Sequence, residues 1–352
     1  MREVAVVGFA QSPQERRTEG TTNGVEMLVP IFGEVYGALG IDKSDIGFWC
    51  SGSSDYLAGR AFSFISAIDA IGPVPPINES HVEADAAWAL YEAWVKIMTG
   101  EVDTALVYGF GKSSAGNLRR TLAFQLDPYT LAPLYPDSVA VAALQARVGI
   151  ENGTWTEREM AEVAVRSRRD AETNPHAQLC GSKDADELLA EPYLADPLRR
   201  HDCAPITDGA SVIVLAAEER ARELVERPAW ITGMAQRVDS AQLGSRDLTV
   251  SASTAAAAAD AGIDGVEVAE LQSPFTHQEL ILRTALGLGD EVRITPSGGA
   301  LAGNPMFAAG LTRIGEAARH VMAGSAGKVL AHATSGPALQ HNLVCVMEGR
   351  DR

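Results

Sequence analysis

The stretch of sequence that decides the fold lies at residues 83–112 and is EADAAWALYEAWVKIMTGEVDTALVYGFGK. Its first part predicts an amphipathic helix over residues 85–99, which Gly100 ends because glycine readily adopts the left-handed conformation found after helices. Its second part predicts a buried strand over residues 104–109, and G-F-G-K follows at residues 109–112. A helix followed directly by a buried strand is typical of an α/β protein.

The residues on both sides of this stretch show the same alternation. Before it, we predict strands over 4–9 and 46–50, helices over 23–39 and 59–71, and an extended segment over 74–82. After it, we predict strands over 211–217, 229–233, 266–271, 328–332 and 342–347, and helices over 254–261, 276–286 and 307–322. The sequence therefore predicts two similar α/β halves.

The middle of the chain, residues 113–202, differs from both halves. It is rich in loops and charges, and it predicts one polar helix over residues 157–172. We interpret it as an insertion that covers the core. The predicted division is a N-terminal half of residues 1–118 plus 203–222, an inserted loop domain of 119–202 and a C-terminal half of 223–352.

Composition disfavours several classes of protein. The chain carries 29 basic and 46 acidic side chains, a net charge of −17, which argues against nucleic acid or an anionic membrane as a partner but allows a local basic pocket. The four cysteines lack C-x-x-C spacing, so no metal site or redox pair is expected. Nucleotide-binding fingerprints are absent. With no long apolar run and a first strand that begins at once, we expect a cytoplasmic protein.

Six stretches, in order along nearly the whole chain, resemble motifs of the thiolase superfamily in its sterol-carrier-protein-type branch. The first is the 83–112 stretch, and the others are D-P-L-R at 196–199, T-D-G-A at 207–210, E-L-Q-S-P-F-T at 270–276, P-S-G-G at 296–299 with G-N-P at 303–305, and L-Q-H-N at 339–342. The resemblance implies an α/β thiolase fold, with two pseudo-symmetric βαβ-rich halves in an αβαβα layered arrangement and an inserted loop domain. It also implies that helices 85–99 and 307–322 lie between two five-stranded mixed sheets, and that residues 76–83 form a dimer interface.

The chain departs from the family pattern at the residues that carry thiolase chemistry. Counting back from Gly100 places Glu83 where the resemblance implies the nucleophilic cysteine. Gln272 and Pro274 stand at the His and Cys of the family's His-Asp-Cys-Phe motif, and Asn304 stands at the His of its Gly-His-Pro motif. Because thiolysis needs a thiolate to carry the acyl group, we expect no thiolase activity.

Three further stretches resemble the sterol lipid-transfer group of the superfamily: G-S-S-D-Y at 52–56, I-N-E-S-H at 77–81 and G-K-S-S at 111–114. This resemblance implies a subunit of a retro-aldolase that cleaves the β-hydroxyacyl-CoA thioester of a sterol side chain, with the CoA thioester as substrate and no further cofactor. It also implies a hetero-oligomer with a second thiolase-fold chain and a small OB-fold protein. The alternative is a non-catalytic scaffold that completes the active site of a partner thiolase-like chain.

Retro-aldol cleavage needs a base for the β-hydroxyl proton, donors for the enolate oxygen and an acid for its carbon. Glu83 is the candidate base, because it stands at the nucleophile's position near a helix N-terminus, where Asp85 would act as the cap. His81 precedes Glu83 by two residues, so on an extended segment both share a face. Asn304 keeps an amide donor that can hold the thioester oxygen.

Other candidates follow from the matched motifs. His341 lies beside the last strand as an acid or base, or as a support of the pocket. His277 opens a helix and is interpreted as structural, whereas His332 ends a strand that faces the same region. The predicted substrate contacts are the amide of Gln272 and the glycine-containing turns at Ser297, Gly298, Gly299 and Ser335.

Overall fold

The computed structural model describes residues 2–19, 24–55 and 63–350. Within these ranges the strands are β1 (Val4–Gln11), β2 (Phe48–Gly52), β3 (Glu79–Val82), β4 (Thr104–Lys112), β5 (Tyr193–Ala195), β6 (Leu198–Arg199), β7 (Asp208–Ala217), β8 (Ala229–Val238), β9 (Val268–Leu271), β10 (Arg293–Ile294), β11 (Lys328–Ser335) and β12 (His341–Glu348). The α-helices are α1 (Gly24–Leu39), α2 (Ser63–Ile71), α3 (Ala86–Met98), α4 (Leu118–Ala123), α5 (Ser138–Glu151), α6 (Glu157–Asp170), α7 (Ala185–Leu189), α8 (Glu218–Leu224), α9 (Ala252–Ala261), α10 (Thr276–Ala285), α11 (Gly299–Ala302) and α12 (Ala309–Met322).

The described strands repeat one topology twice. Ten of them form a sheet in the order β3-β2-β4-β7-β1-β8-β12-β11-β9-β10. When the five sheet strands of each half are numbered 1 to 5 in chain order, they lie across the sheet in the order 3-2-4-5-1. In both halves the pairs 3-2 and 2-4 are parallel, and the pairs 4-5 and 5-1 are antiparallel. The halves are thus two five-stranded mixed sheets, which meet where β1 pairs antiparallel with β8.

The two faces of the sheet serve different cores. Val4 and Val6 of β1 lie in a central cluster, whereas Ala5 and Val7 pack in the cluster that contains α1 and α2, because successive strand residues point to opposite faces. On the other half, α9 and α10 cover the outer face of the sheet. The layers therefore alternate helix, sheet, helix, sheet, helix.

One helix from each half fills the central layer. Leu90 of α3 and Leu311 and Ile314 of α12 are fully buried in the same hydrophobic cluster. Alanines are common among the other buried residues of α3, and alanines and glycines among those of α12, so the two helices can pack closely. The helices predicted over 85–99 and 307–322 therefore occupy the buried positions expected of them.

The glycines of G-F-G-K bring the two halves together. A Cβ on Gly109 would lie 2.4 Å from the carbonyl oxygen of Phe307, and one on Gly111 would lie 2.2 Å from that of Met306. Without side chains at these positions, the segment that precedes α12 can cross β4, and Ala86 donates its backbone N–H to Phe307 O at 2.9 Å. The starts of α3 and α12 are consequently adjacent.

The inserted segment is more helical than the sequence predicts. Besides α6, which corresponds to the helix predicted over 157–172, it contains the 14-residue helix α5, capped by Asp137. Of the six buried residues of α5, three are alanines and one is a glycine, and such small residues give little amphipathic signal. The sequence therefore predicts α6 but misses α5.

Some predictions concern residues that the structure does not describe. The first four residues of the helix predicted over 59–71, and the last residue of the motif at 52–56, fall outside the described residues. The domain boundaries near residues 118, 203 and 223 stay predictions. Within the described ranges, no helix combines the length and the apolar character needed to cross a membrane.

Candidate active site

A cleft of about 1370 Å³ opens where the two halves meet the inserted segment. Glu83 and Asp85 reach it from the start of α3, Asn304 from the loop before α12 and Gln272 from the end of β9. The inserted segment contributes an aliphatic wall that consists of Leu118, Leu122, Leu126, Val139 and Val141. The cleft therefore joins a polar end, built from both halves, to an apolar side.

Asp85 organises the polar end. Its carboxylate accepts hydrogen bonds from the backbone N–H groups of Ala87 at 2.9 Å, Gly310 at 2.9 Å and Leu311 at 3.1 Å. It therefore caps α3, as the sequence predicts, and also satisfies the first turn of α12. Burial raises the pKa of the Asp85 carboxyl, and its backbone hydrogen bonds oppose that shift.

Glu83 lines the cleft, and His81, which is not among the described residues that line it, lies beside Glu83. The Glu83 side chain is 54% exposed, and its Oε2 lies 3.7 Å from Nε2 of His81. The other ring nitrogen of His81, Nδ1, lies 3.1 Å from Ser51 Oγ, and the ring stacks on Phe64 with centroids 4.6 Å apart. Burial lowers the pKa of His81, against the opposing effect of Glu83, so the imidazole is neutral near pH 7. The period-two spacing thus brings the two side chains together as expected.

The two amide side chains at the cleft, Asn304 and Gln272, differ in whether the carboxamide oxygen already accepts a hydrogen bond. Asn304 donates its backbone N–H to Thr207 Oγ1 at 2.8 Å, but its carboxamide oxygen is buried without a hydrogen-bond partner among the described residues. Gln272, in contrast, accepts the backbone N–H of Thr334 at 2.9 Å through its carboxamide oxygen. Asn304 is therefore the side chain with spare capacity for a ligand, whereas the orientation of Gln272 is already fixed.

Sequence comparison relates the chain to acyl-CoA enzymes, although no family model matches it. It is 26% identical over 353 residues to an acetyl-CoA acetyltransferase of Methanocaldococcus jannaschii, an alignment that covers 90% of this chain and 89% of that protein. It is 30% identical over 178 residues to the 17-hydroxy-3-oxo-4-pregnene-20-carboxyl-CoA lyase of Mycobacterium tuberculosis, which covers 47% of this chain and 46% of the lyase.

Two solved structures match the whole fold. An Ltp2-ChsH2(DUF35) aldolase superposes with a TM-score of 0.81 at 20% identity, over 99% of this chain and 98% of that chain. Human mitochondrial 3-ketoacyl-CoA thiolase superposes with a TM-score of 0.80 at 13% identity, over 99% of both chains. The chain is thus similar in sequence and in fold to proteins of the thiolase superfamily. Its fold is the thiolase fold that the ordered motifs predict.

The four cysteines of the chain are all free. Cys50 and Cys345 are buried within strands, and burial raises the pKa of both thiols, that of Cys345 to about 12. Cys203 lines the cleft, but burial raises its pKa to about 12 as well. Cys180 lines the cleft and is exposed. At the start of α3, where the resemblance implies the superfamily's nucleophile, the chain presents the carboxylate of Glu83.

The structure separates His341 from the cleft. Its Nε2 lies 2.8 Å from Gln236 Oε1 and 3.0 Å from Trp88 Nε1, and its ring packs on that of Trp88. Burial lowers the pKa of His341. His341 is not among the described residues that line the cleft. Both roles that the sequence left open for His341, acid or base and support of the pocket, stay predictions.

The glycine turn after β10 also lies behind the cleft wall. Ser297 Oγ donates to Glu270 at 2.7 Å, and Arg313 donates to the same carboxylate at 2.9 Å. Gly298 and Gly299 continue this turn with φ of +88° and +63°, so both need the freedom of glycine. Within the described part of the chain, none of the three turn residues lines the cleft, whereas the predicted contact Ser335 does.

Two further histidines are buried in the framework. His277 Nε2 lies 3.1 Å from Gln145 Oε1, and His332 Nε2 lies 3.0 Å from Asn342 Oδ1. Burial lowers the pKa of His277 to about 3 and that of His332 to about 4, so both rings are neutral. Across the described ranges, no cluster of three or more His, Cys, Asp or Glu side chains is arranged to hold a metal ion.

Sequence reasoning missed the four arginines that line the cleft, among them Arg168 of α6 and Arg200. Arg168 Nε is buried and has no hydrogen-bond partner in the part of the chain that the structure describes, and nearby Glu191 is instead bound by Lys183 at 2.7 Å. Burial lowers the pKa of Arg168, and the charge of Arg200 lowers it further, yet an arginine stays charged at neutral pH. Both residues occur in a segment crowded with charges, so the sequence does not distinguish them from solvated ones. In a chain of net charge −17, two such arginines favour an anionic ligand.

Proposed function

We propose that this chain is a subunit of an acyl-CoA retro-aldolase that cleaves the β-hydroxyacyl-CoA thioester of a sterol side chain. The observation that carries the proposal is the polar end of the cleft. It presents a carboxylate, Glu83, and an amide, Asn304, whose carboxamide oxygen has no hydrogen-bond partner among the described residues, at positions where the resemblance implies the thiolate and the imidazole of thiolase chemistry. These groups suit a reaction that has no covalent intermediate.

In the proposed reaction Glu83 and Asn304 each have one role. The Glu83 carboxylate takes the proton of the β-hydroxyl, and the oxygen's electron pair forms a carbonyl as the Cα–Cβ bond breaks. The bond's electrons pass to the thioester as an enolate, whose oxygen accepts a hydrogen bond from the Asn304 amide. The enolate carbon then takes up a proton. The products are a ketone or aldehyde and a shortened acyl-CoA.

The rest of the cleft suits such a substrate. Arg168 and Arg200 place positive charge on the inserted side, where the phosphates of a CoA thioester would bind. The aliphatic wall formed by Leu118, Leu122, Leu126, Val139 and Val141 suits a bulky apolar acyl group. The related lyase of Mycobacterium tuberculosis is named for a steroid carboxyl-CoA substrate, which supports the same substrate class.

The competing proposal is a non-catalytic scaffold that completes the active site of a partner thiolase-like chain. One observation favours it: half of the Glu83 side chain is open to solvent, beside the unpaired edge of β3. A partner seated there would close the cleft. The Ltp2-ChsH2(DUF35) aldolase, whose name gives two components, supports a complex for this chain, with a second thiolase-fold subunit and a small OB-fold protein as the proposed partners. Four free cysteines suit a reducing, cytoplasmic setting.

The deciding experiment combines co-purification with an assay. The chain, alone and with each candidate partner, is incubated with a β-hydroxyacyl-CoA steroid, and the shortened acyl-CoA is measured by mass spectrometry. The aldolase proposal expects cleavage that is lost in Glu83→Gln. Cleavage by the complex that survives Glu83→Gln would favour the scaffold, and cleavage of acetoacetyl-CoA with free CoA would contradict both.

A further inference from the structure

Three strand residues form a ladder that ends at Glu83. In the parallel pairing of β3, β2 and β4, Ser51 is in register with His81 on one side and with Tyr108 on the other. Residues in register on parallel strands point to the same face of the sheet. Ser51 and Tyr108 are fully buried there, and His81 is 17% exposed beside the half-exposed Glu83. The ladder therefore runs from the protein interior to the cleft.

The geometry selects one tautomer of His81. Nε2 faces the Glu83 carboxylate at 3.7 Å, and a nitrogen lone pair in that direction would be repelled by the negative charge. The ring proton is therefore favoured on Nε2, which leaves the Nδ1 lone pair to accept the hydroxyl proton of Ser51 at 3.1 Å. Phe64, stacked on the ring, fixes its plane.

We infer that Ser51 is a positioning residue for the reaction, acting through His81 on Glu83. Its hydroxyl holds His81 as the neutral Nε2–H tautomer, and that N–H directs the carboxylate of Glu83 toward the cleft. His81 is then a donor to the base and not a base itself. The inference rests on the proposed function for its catalytic consequence, but its structural content is independent of any activity.

The charges that act on His81 come from two directions. Glu83 follows it in the chain, and Asp55 lies on the segment after β2, and both favour a proton on the ring. Burial has the larger and opposite effect, so His81 stays neutral. Ser80, its neighbour on β3, points the other way and donates to Glu92 Oε1 at 2.9 Å. Ser80→Ala is therefore a matched control: it removes a hydroxyl from the adjacent strand on the opposite face.

The test reads the tautomer directly, by long-range ¹H–¹⁵N NMR of the histidine-labelled full chain, with His81 assigned through His81→Asn. We expect the Nε2–H form in the wild type, mixed tautomers in Ser51→Ala, recovery in Ser51→Thr and no change in Ser80→Ala. Glu83→Gln, an exposed substitution that leaves the core intact, should also weaken the Nε2–H preference. The inference would be overturned if the wild type has His81 in the Nδ1–H form, or if neither Ser51→Ala nor Glu83→Gln changes the His81 tautomer.

The catalytic consequence is measured separately. With a β-hydroxyacyl-CoA steroid as substrate, Ser51→Ala should lower kcat by about tenfold to a hundredfold with KM unchanged, because a misdirected base acts only on the chemical step. Ser51→Thr should recover most of the loss. If the NMR results are as expected but no protein cleaves the substrate, the positioning of Glu83 stands and the proposed reaction fails. Equal turnover by Ser51→Ala and the wild type would remove the positioning role.

Discussion

The carboxylate of Asp85 accepts the backbone N–H of Gly310 at 2.9 Å, which joins the start of one central helix to the start of the other. The contact spans 225 residues of sequence and connects the two halves of the fold. It requires glycine, because a Cβ on residue 310 would lie 2.6 Å from Asp85 Oδ1. The segments that carry Glu83 and Asn304 into the cleft both adjoin this contact, so it sets their relative position.

Removing the Asp85 carboxylate should destabilise the whole fold. Asp85→Ala leaves three buried N–H groups from two helices without an acceptor, at a cost of about 1–3 kcal/mol for each group left unsatisfied. We expect the free energy of unfolding in urea to fall by roughly 3 kcal/mol or more. Asp137→Ala is the matched control, since Asp137 caps α5 at an exposed position, and it should cost about 1 kcal/mol. Equal losses would contradict the two-helix role of Asp85.

Local signals explain which elements could be predicted from the sequence. The helix at residues 85–99 has a cap at Asp85, an amphipathic body and a terminating Gly100, and each of these acts within a few residues. Helix α5 has a cap as well, but four of its six buried residues are alanine or glycine, so hydrophobic periodicity does not reveal it. The contact of Asp85 with Gly310 depends on the packing of two halves, which no local pattern encodes.

In the candidate site, too, the features that depend on local sequence could be predicted, and those that depend on long-range packing could not. The pairing of His81 with Glu83 could be predicted, because period-two spacing on a strand puts both on one face. The position of His341 could not, since its distance from the cleft depends on how Trp88 of α3 packs against β12. The unpaired state of Arg168 also escaped prediction, because pairing is a property of three-dimensional neighbours.

Two buried histidines should make the protein acid-sensitive. The folded-state pKa of His332 is about 4 and that of His277 about 3, below the ordinary value of 6.5. The unfolded chain therefore binds more protons as pH falls from 6.5 toward 4, and stability present above pH 6.5 is lost through that window. Each histidine should contribute up to about 1.4 kcal/mol per pH unit. The urea midpoint of His332→Asn should consequently change less between pH 7 and pH 5 than that of the wild type. If the midpoints of both proteins change equally with pH, the ring of His332 is not buried in its neutral form.

No cysteine should form an acyl-enzyme. Burial raises the pKa of the Cys203 and Cys345 thiols to about 12, and that of Cys50 as well, so thiolates are scarce there at neutral pH. Intact-mass analysis after incubation with acetyl-CoA or acetoacetyl-CoA should show no adduct. Iodoacetamide should label the exposed Cys180 first in the folded protein and all four cysteines after unfolding. A CoA-dependent acyl adduct on any cysteine would refute the placement of Glu83 at the nucleophile's position.

The open edge of β3 should pair with another chain. Trp49 N–H donates to Asn78 O and Ser53 N–H to Val82 O, so by alternation the peptide groups of Glu79 face away from β2. Glu79→Pro removes one outward N–H and keeps the inner ladder, and it should shift the protein, with its partners present, toward smaller species in light scattering. Glu79→Ala, which retains the N–H, is the control. If Glu79→Pro and the wild type form complexes of the same size, the interface lies elsewhere.

Glu83→Gln should abolish most turnover while the complex still assembles. Glutamine keeps the shape of the side chain and removes the base, and positioned acid–base catalysis typically contributes about 10²–10⁴-fold, so kcat should fall by roughly that factor. Glu101→Gln is the matched control, because Glu101 lies just beyond the other end of α3 and pairs with Lys96 at 2.7 Å. It should leave kcat unchanged. Normal turnover by Glu83→Gln would mean that the base is either a histidine such as His81 or a residue of the partner subunit. A double variant, Glu83→Gln with His81→Asn, would decide between these, because only a base on the partner survives both changes.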